Sequence, residues 1–395
     1  MTVTGSRPWR MLALIAVGEV LGMTLWFSAT AAAPAIGAEY HMDVAARAWL
    51  TMAVQAGFVV GTLLTAVTSL ADAITARRLF AIGCVLGALF NLSITSAPSS
   101  AAIIALRFGT GMSLAWVYPP GMKMAAGWFL DRRGTALGIV VGAVGVGSAF
   151  PHLLAWAGAA LPWRSLVGAS SILAIGAAAI VISTVTDGPY VSASAPFDRH
   201  ALNVVLRNRG TRLAMLGYFG HMWELYAVWT WIAAFAAASL AQAAGSRTGS
   251  LVAFVTIAAG AVGCVVAGNW ADEWGKARVA GAAMIASAAC CVMSPFVFGA
   301  SLTVLFALAI VWGFTVVADS AQFSALVTDH TPRTHVGTAL TLQTSAGFLL
   351  TMLSMRLVPP VSEMAGWRWA FVFLAPGPIL GAMAMWRLNR VRFSG

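Results

Sequence analysis

Twelve apolar runs, each about 20 residues or longer and separated by mostly short charged connections, dominate this chain, and about 20 apolar residues is what a helix needs to cross a bilayer core. In lipid each spanning segment must satisfy its own backbone polar groups, which makes such runs helices. They cover 11–36, 48–70, 78–97, 101–126, 134–160, 164–185, 211–240, 248–270, 277–299, 302–327, 334–360 and 367–388. Twelve spans use about 240 residues, and the chain has 395, of which 60% are apolar and 9% charged. The pattern excludes a soluble enzyme with a single core, a disordered chain and a nucleic-acid-binding domain. The first run carries Glu19 and is too long for a cleavable signal, so it is expected to be the first span. Cys84, Cys264, Cys290 and Cys291 lie within apolar runs and read as packing residues.

Charge placement sets the expected topology. With the N-terminus cytoplasmic, 17 of the 23 Lys and Arg residues fall on the cytoplasmic side. Five (Arg47, Arg164, Arg247, Arg356 and Arg368) fall outside, and Arg107 falls within the membrane. Both termini are then cytoplasmic. The net charge of +10 serves topology and needs no nucleic acid partner. One connection is long and rich in arginine. It divides the chain into an N-terminal six-helix bundle (1–185), a cytoplasmic linker (186–211) and a C-terminal six-helix bundle (212–395).

The halves repeat. TSLADAITARR at 68–78 matches GNWADEWGKAR at 268–278, and GTAL at 134–137 recurs at 337–340, an offset of 203. Both matches sit at equivalent topological places. The expected fold is an all-α polytopic membrane protein of twelve transmembrane helices, two six-helix bundles related by pseudo-two-fold symmetry.

On these features the chain resembles the major facilitator superfamily along essentially its whole length. The family's loop pattern Gly-x-x-x-Asp-x-x-Gly-Arg-Lys is kept in the second half by Gly268, Asp272, Gly275, Lys276 and Arg278. In the first half Asp72, Arg77 and Arg78 survive, while Thr68 and Thr75 replace the glycines. The resemblance implies a conformational latch there; the alternative is ordinary loop charge anchoring topology. LRFGTGMS, with Arg107 four residues before Gly111, is similar to the family's Arg-x-x-x-Gly pattern in helix 4. Arg107 lies roughly 13 Å from Pro98 along a helix. It faces either a substrate cavity or backbone carbonyls. Helix 5 has Gly138, Gly142, Gly145 and Gly147 at tight-packing spacing. Ala143 stands where the family's exporters often carry Pro, and His152 reads as a rim residue.

GYFGHMWELYAVWTW in helix 7 is the most polar of the runs. His221 and Glu224 share a face at i,i+3. Tyr218, Trp223, Tyr226, Trp229 and Trp231 surround them, and Trp26 in helix 1 joins this cavity-lining aromatic set. Either the acid lines a cavity or the two form a structural pair. Glu19, Glu224 and Asp319 are the acids within spans. Such groups are functional candidates in a membrane, and these three are the candidate proton carriers, with Arg107 as the cation that discharges them. Arg356 either attracts an anion or snorkels to the interface.

The expected function is secondary active transport of a small solute by alternating access, weighed against two other classes. A receptor lacks a sensory domain here, and a channel lacks a repeated filter. No enzyme chemistry, nucleotide loop, cofactor or metal cluster is apparent. Within the superfamily the texture resembles bacterial cyanate- and nitrate-type permeases and the organic-anion permeases near them. Nitrate itself is disfavoured because helices 2 and 8 lack a mid-span Arg. A small organic anion moved with protons is the first reading; proton-driven efflux of amphipathic or cationic drugs or metabolites is the second. The resemblance further implies a bacterial inner membrane, the lipid bilayer as surroundings and a monomer.

Overall fold

The computed structural model describes residues 6–68, 70–130, 132–158, 162–190, 202–242 and 246–390. All regular elements among them are helical. The chain divides into two compact units, one of Met1–Met42 with Trp49–Ser194, the other of Asp43–Ala48 with Ala195–Gly395. In the first run of the chain come α1 (Ser6–Met23), α2 (Ser28–Ala31) and α3 (Ala33–Glu39). They are followed by α4 (Val44–Val67), α5 (Leu70–Ala73), α6 (Ala76–Ser93), α7 (Ser100–Leu114), α8 (Tyr118–Ala126), α9 (Arg133–Ala157) and α10 (Trp163–Thr184). The second series is α11 (Leu202–Arg207), α12 (Arg209–Ser239), α13 (Arg247–Trp274), α14 (Lys276–Val297), α15 (Leu302–Ala318), α16 (Ser320–His330), α17 (Val336–Ala365) and α18 (Pro376–Leu388).

Ten helices or helix pairs are long and apolar enough to cross a membrane. Two further spans complete the set of twelve among the described residues. One is the broken α1–α3; the other is α12, 31 residues long and more polar because it holds His221 and Glu224. Each unit therefore contains six spans in the same order.

The structure departs from the expected spans in three places. The run 11–36 is not one helix. After Met23 the backbone bonds shorten to i→i+3, from Leu25 to Gly22 and from Trp26 to Met23, and the helix stops. The fourth span of the first unit breaks between α7 and α8, where Trp116 and Val117 donate to Ser113 and Leu114. Pro119 and Pro120 then open α8 at positions that need no N–H partner. The fourth span of the second unit breaks at Asp319, which ends α15 and opens α16. Asp319 and Trp116 are 203 residues apart, so both breaks fall at one register of the repeat. In the expected linker, the described part includes α11, and α12 already begins at Arg209. Residues 191–201, with the Ser-Ala-Ser-Ala-Pro run and Arg199, lie outside the described residues.

Close helix crossings repeat as well. In the first unit a Cβ on Gly57 would strike the Phe108 carbonyl oxygen, and one on Gly111 would strike that of Val54, so α4 and α7 touch backbone to backbone. In the second unit Gly263 meets the Phe314 carbonyl and Gly313 that of Thr256, which does the same for α13 and α15. Small residues at crossings are how helices gain van der Waals contact in lipid. In α9 Gly147 lies against the Val20 backbone of α1.

These crossings make a stability prediction. Gly111→Ala and Gly313→Ala should each destabilise the purified protein by about 1–3 kcal/mol, the usual cost of overpacking. Gly176→Ala in α10, where an added Cβ meets nothing within 4 Å, should be neutral or stabilising by up to about 1 kcal/mol. Thermal unfolding in detergent distinguishes them; equal behaviour of all three would contradict the crossing geometry.

Candidate functional site

The first unit is organised around Arg107 of α7, which is fully buried. Its Nε donates to the Leu50 carbonyl at 3.0 Å. Nη1 donates to the Leu25 carbonyl and to Asn91 Oδ1, both at 3.0 Å, with Ser28 Oγ at 3.3 Å. Nη2 donates to the Trp26 carbonyl at 2.5 Å. Leu25 and Trp26 are the residues at which α1 has stopped, so Arg107 satisfies carbonyls that the helix ladder no longer uses. Asn91 extends the network, donating to the Val167 carbonyl at 3.2 Å and to Ser171 Oγ at 3.1 Å in α10. Of the two readings open for Arg107, this arrangement is the backbone-bonded one. Trp26 is buried with its ring 5.2 Å from that of Phe58. Its backbone, bonded to Arg107, ties it to the break.

Glu19 is different in kind. It lies on α1, fully buried, and neither carboxyl oxygen has a hydrogen-bond partner among the described residues. One turn away on the same helix, Gly22 is packed against Cys84 of α6 and Val117. The carboxyl itself rests over Gly121 of α8. His152, expected at a rim, is buried against Phe27 at a ring distance of 6.2 Å. Its two ring nitrogens also lack partners among the described residues.

In the second unit the two groups that share a stretch of α12 turn to different neighbours. Glu224 Oε1 accepts from Ser287 Oγ at 2.6 Å and Cys291 Sγ at 3.2 Å in α14, and from Trp312 Nε1 at 2.6 Å in α15. Three donors on one oxygen fix this carboxyl to two neighbouring helices. His221 instead faces the break between α15 and α16. Its Nδ1 lies 2.8 Å from Asp319 Oδ1, within ion-pair reach but without the alignment of a hydrogen bond. Phe323 lies beside it at a ring distance of 5.5 Å.

The aromatic residues of α12 fill helix contacts. Tyr218 meets Phe323 at 6.0 Å and occupies the space beside Gly347 of α17. Tyr226 lies 5.5 Å from Trp229 and 5.4 Å from Phe348. Trp231 donates to the Met355 carbonyl at 3.0 Å. Of the five, Trp223 is the partly exposed one, edge-on to Phe373 at 6.1 Å. Arg356 is exposed.

The loop motif is built unequally. Gly275 joins α13 to α14 at φ +91°, with open space where a Cβ would sit, so glycine is there for its backbone. Its counterpart Thr75 has φ −59°, which any residue adopts. That is why the first copy dispenses with glycine. Lys276 pairs with Asp329 of α16 at 2.6 Å. Gly268 is buried, Asp272, Arg278 and Arg78 are exposed, and Arg77 is half-buried. The Asp72 side chain lies outside the described residues.

Several participants carried no signal of their own: Asn91, Ser28, Ser287 and Trp312 are ordinary residues inside apolar runs, and only the fold brings them to a charge. The sequence reading also passed over Glu39, at the end of α3. It accepts from both Nη atoms of Arg164, at 2.9 and 2.5 Å, and from Trp163 Nε1 at 2.8 Å. The hydrogen bonds from Arg164 and then Trp163 lower its pKa to about 2.

Comparison with known proteins follows the same lines. The family model described as Major Facilitator Superfamily matches residues 15–245 and again 214–394. The hexuronate transporters of Escherichia coli strain K12 and of Escherichia coli O157:H7 are each 27% identical over 162 residues. Those residues make up 40% of this chain, which thus spans only 36% of the length of these curated relatives.

Two outcomes are expected. Arg107→Ala removes the donor to the Trp26 carbonyl and one of the donors to the Leu25 and Leu50 carbonyls, and should cost roughly 1–3 kcal/mol for a buried acceptor left unsatisfied. Arg107→Lys should recover part of this, since an ammonium lacks the planar fork; thermal unfolding of the three proteins reads the order. For Glu39, a lowered carboxyl pKa contributes stability that is complete above the ordinary value near 4.3. It is lost as the pH falls through about 2. The melting-temperature difference between wild type and Glu39→Gln should therefore be constant from neutral pH down to about 4.3 and shrink below it.

Proposed function

The chain belongs to the Major Facilitator Superfamily, and from that premise we propose that it is a secondary transporter that moves a small organic anion together with protons by alternating access. The observation that carries the coupling is Glu19, a buried carboxyl with neither oxygen partnered among the described residues. An ionised carboxylate without donors in apolar surroundings costs several kcal/mol. A group in that position binds a proton when enclosed and releases it when opened to water. Glu224, held by three donors, and Asp319, beside His221, suit positioning better than proton carriage. The similarity to hexuronate transporters supports an organic acid as substrate.

In this reading the protein works as a monomer in a bacterial inner membrane with both termini cytoplasmic. Its two six-helix bundles are 1–185 and 212–395, joined by a cytoplasmic linker. Trp223 and Arg356, exposed at least in part, are the proposed substrate contacts; Tyr226, Trp229 and Trp26 support them from within. Lys276, with Asp272, Gly268, Gly275 and Arg278, forms a conformational latch, matched in the first half by Asp72, Arg77 and Arg78. The reaction needs no cofactor, metal or covalent chemistry.

One observation favours the second reading, efflux of cationic or amphipathic compounds. Each side-chain nitrogen of Arg107 is bonded to the protein itself, while an acid, Glu19, is among the buried groups of the first unit that lack a hydrogen-bond partner among the described residues.

Proteoliposomes with an imposed proton gradient test both. D-glucuronate should accumulate with wild-type protein, and Glu19→Gln should abolish accumulation while leaving exchange intact. Unchanged accumulation in Glu19→Gln would remove the coupling role. Movement of tetraphenylphosphonium in place of glucuronate would select the efflux reading.

A further inference from the structure

The seat of the Glu19 carboxyl is made by an absence. A side chain on Gly121 would fall on Glu19 Oε1, with Cδ at 2.7 Å and Cγ at 3.2 Å from the added carbon. Gly121 has no positive φ to explain a glycine, since it lies within regular α8 and its N–H donates to the Val117 carbonyl at 3.0 Å. Helix interiors disfavour glycine by about 1 kcal/mol relative to alanine. The close approach of the carboxyl accounts for it.

The segment that carries this glycine is also the one that is loosely tied to its own span. α8 begins beyond the break after Leu114, where Trp116 and Val117 make i→i+3 bonds and the next two positions after Tyr118 are prolines without N–H groups. α8 is thus not locked to α7 by a continuous ladder. The carboxyl on α1 has no polar partner among the described residues to hold it by itself. On the same helix, Gly22 borders Cys84 of α6, and the Phe80 ring borders both Gly18 and Gly22.

We propose that Gly121 is a positioning residue for the proton carrier: its missing side chain seats the Glu19 carboxyl, so that the carboxyl is enclosed while α8 lies against α1 and is opened when α8 moves away. This deepens the proton-coupling reading of Glu19 and rests on it. Gly121 takes no part in proton transfer; it sets where the carboxyl can be. Carriage of the proton is thereby tied to the position of one short helix.

The test uses the whole protein in detergent and needs no substrate. Dicyclohexylcarbodiimide, an apolar reagent, reacts with protonated carboxyls: the acid O–H adds across one C=N bond to give an O-acylisourea, and an O-to-N acyl shift then gives a stable N-acylurea. No oxidant or further reactant enters. Mass spectrometry of the fragment containing residue 19 follows the rate at neutral pH in four proteins: wild type, Gly121→Ala, Glu19→Asp, and the double variant. Wild-type Glu19 should be labelled. Gly121→Ala should slow labelling at Glu19 by roughly fivefold or more, because the added methyl takes the seat. The aspartate of Glu19→Asp is one methylene shorter and escapes the closest contacts, its carboxyl carbon standing where Glu19 Cγ lies 3.2 Å from the added carbon, so its labelling rate should agree within about twofold between the single Glu19→Asp protein and the double variant. Labelling of Glu19 that is the same in wild type and in Gly121→Ala overturns the seat. A fall caused by Gly121→Ala that is equal for the long and the shortened carboxyl also overturns it, because a general packing defect acts on both. Absence of labelling at wild-type Glu19 overturns the proton-carrier reading itself, an outcome distinct from either.

Discussion

A helix that stops inside a membrane leaves carbonyls with nothing to accept from, and the first unit answers that need with one guanidinium. Arg107 donates to Leu25 and Trp26 at the break, to Leu50 of α4 and to Asn91 of α6. Asn91 passes the connection on to α10. A buried charge that lacks partners is expensive in any protein, and in lipid more so. Here the break and the arginine depend on each other: neither the free carbonyls nor the buried cation would be tolerable alone. The shape of the first span, and with it the place of Glu19 below the break, follows from that mutual dependence.

The second unit has the same order of spans and a different centre. The residue 203 positions after Arg107 is Ile310, which is exposed. Correspondingly α12 runs unbroken through the positions that match the break in the first unit. Its central group is an acid, Glu224, on the first span, with donors arriving from the third and fourth. In the first unit a cation on the fourth span reaches toward the first. Two copies of one helical plan have thus been fastened by a base in one and an acid in the other, reaching in opposite directions. The fastened groups are poor candidates for chemistry with a solute, since their bonding capacity goes to the scaffold. Groups without hydrogen-bond partners among the described residues, Glu19, His152 and Nε2 of His221 among them, are where change is cheapest.

The spans were legible because length and apolarity are what a bilayer demands, and those are properties of local sequence. The broken helices were not. Thr24, Leu25, Trp26 and Phe27 contain neither proline nor glycine. What ends α1 there arrives from α7, far along the chain. In α8 the prolines were visible, yet they sit at the start of a helix where proline is at home. The acids within spans stood out at once against so apolar a background. Their partners did not: His221 and Glu224 are one turn apart and share a face by spacing, but that face meets α14 and α15 near Glu224 and the α15–α16 break near His221. Spacing along one helix says which residues look the same way, and tertiary packing decides what they see. Gly121 shows the same limit, because its role is defined by the atom that fills its space.

The breaks at Trp116 and Asp319 have a consequence for descent. They interrupt the fourth span of each unit at one register of the repeat, although a tryptophan stands there in one copy and an aspartate in the other. A geometrical feature kept in both copies while its side chains diverged is older than the divergence. A six-helix ancestor would already have carried a bent fourth helix. The interruption of the first span is present in one copy together with its arginine and absent from the other together with it, so break and cation were gained or lost as one unit.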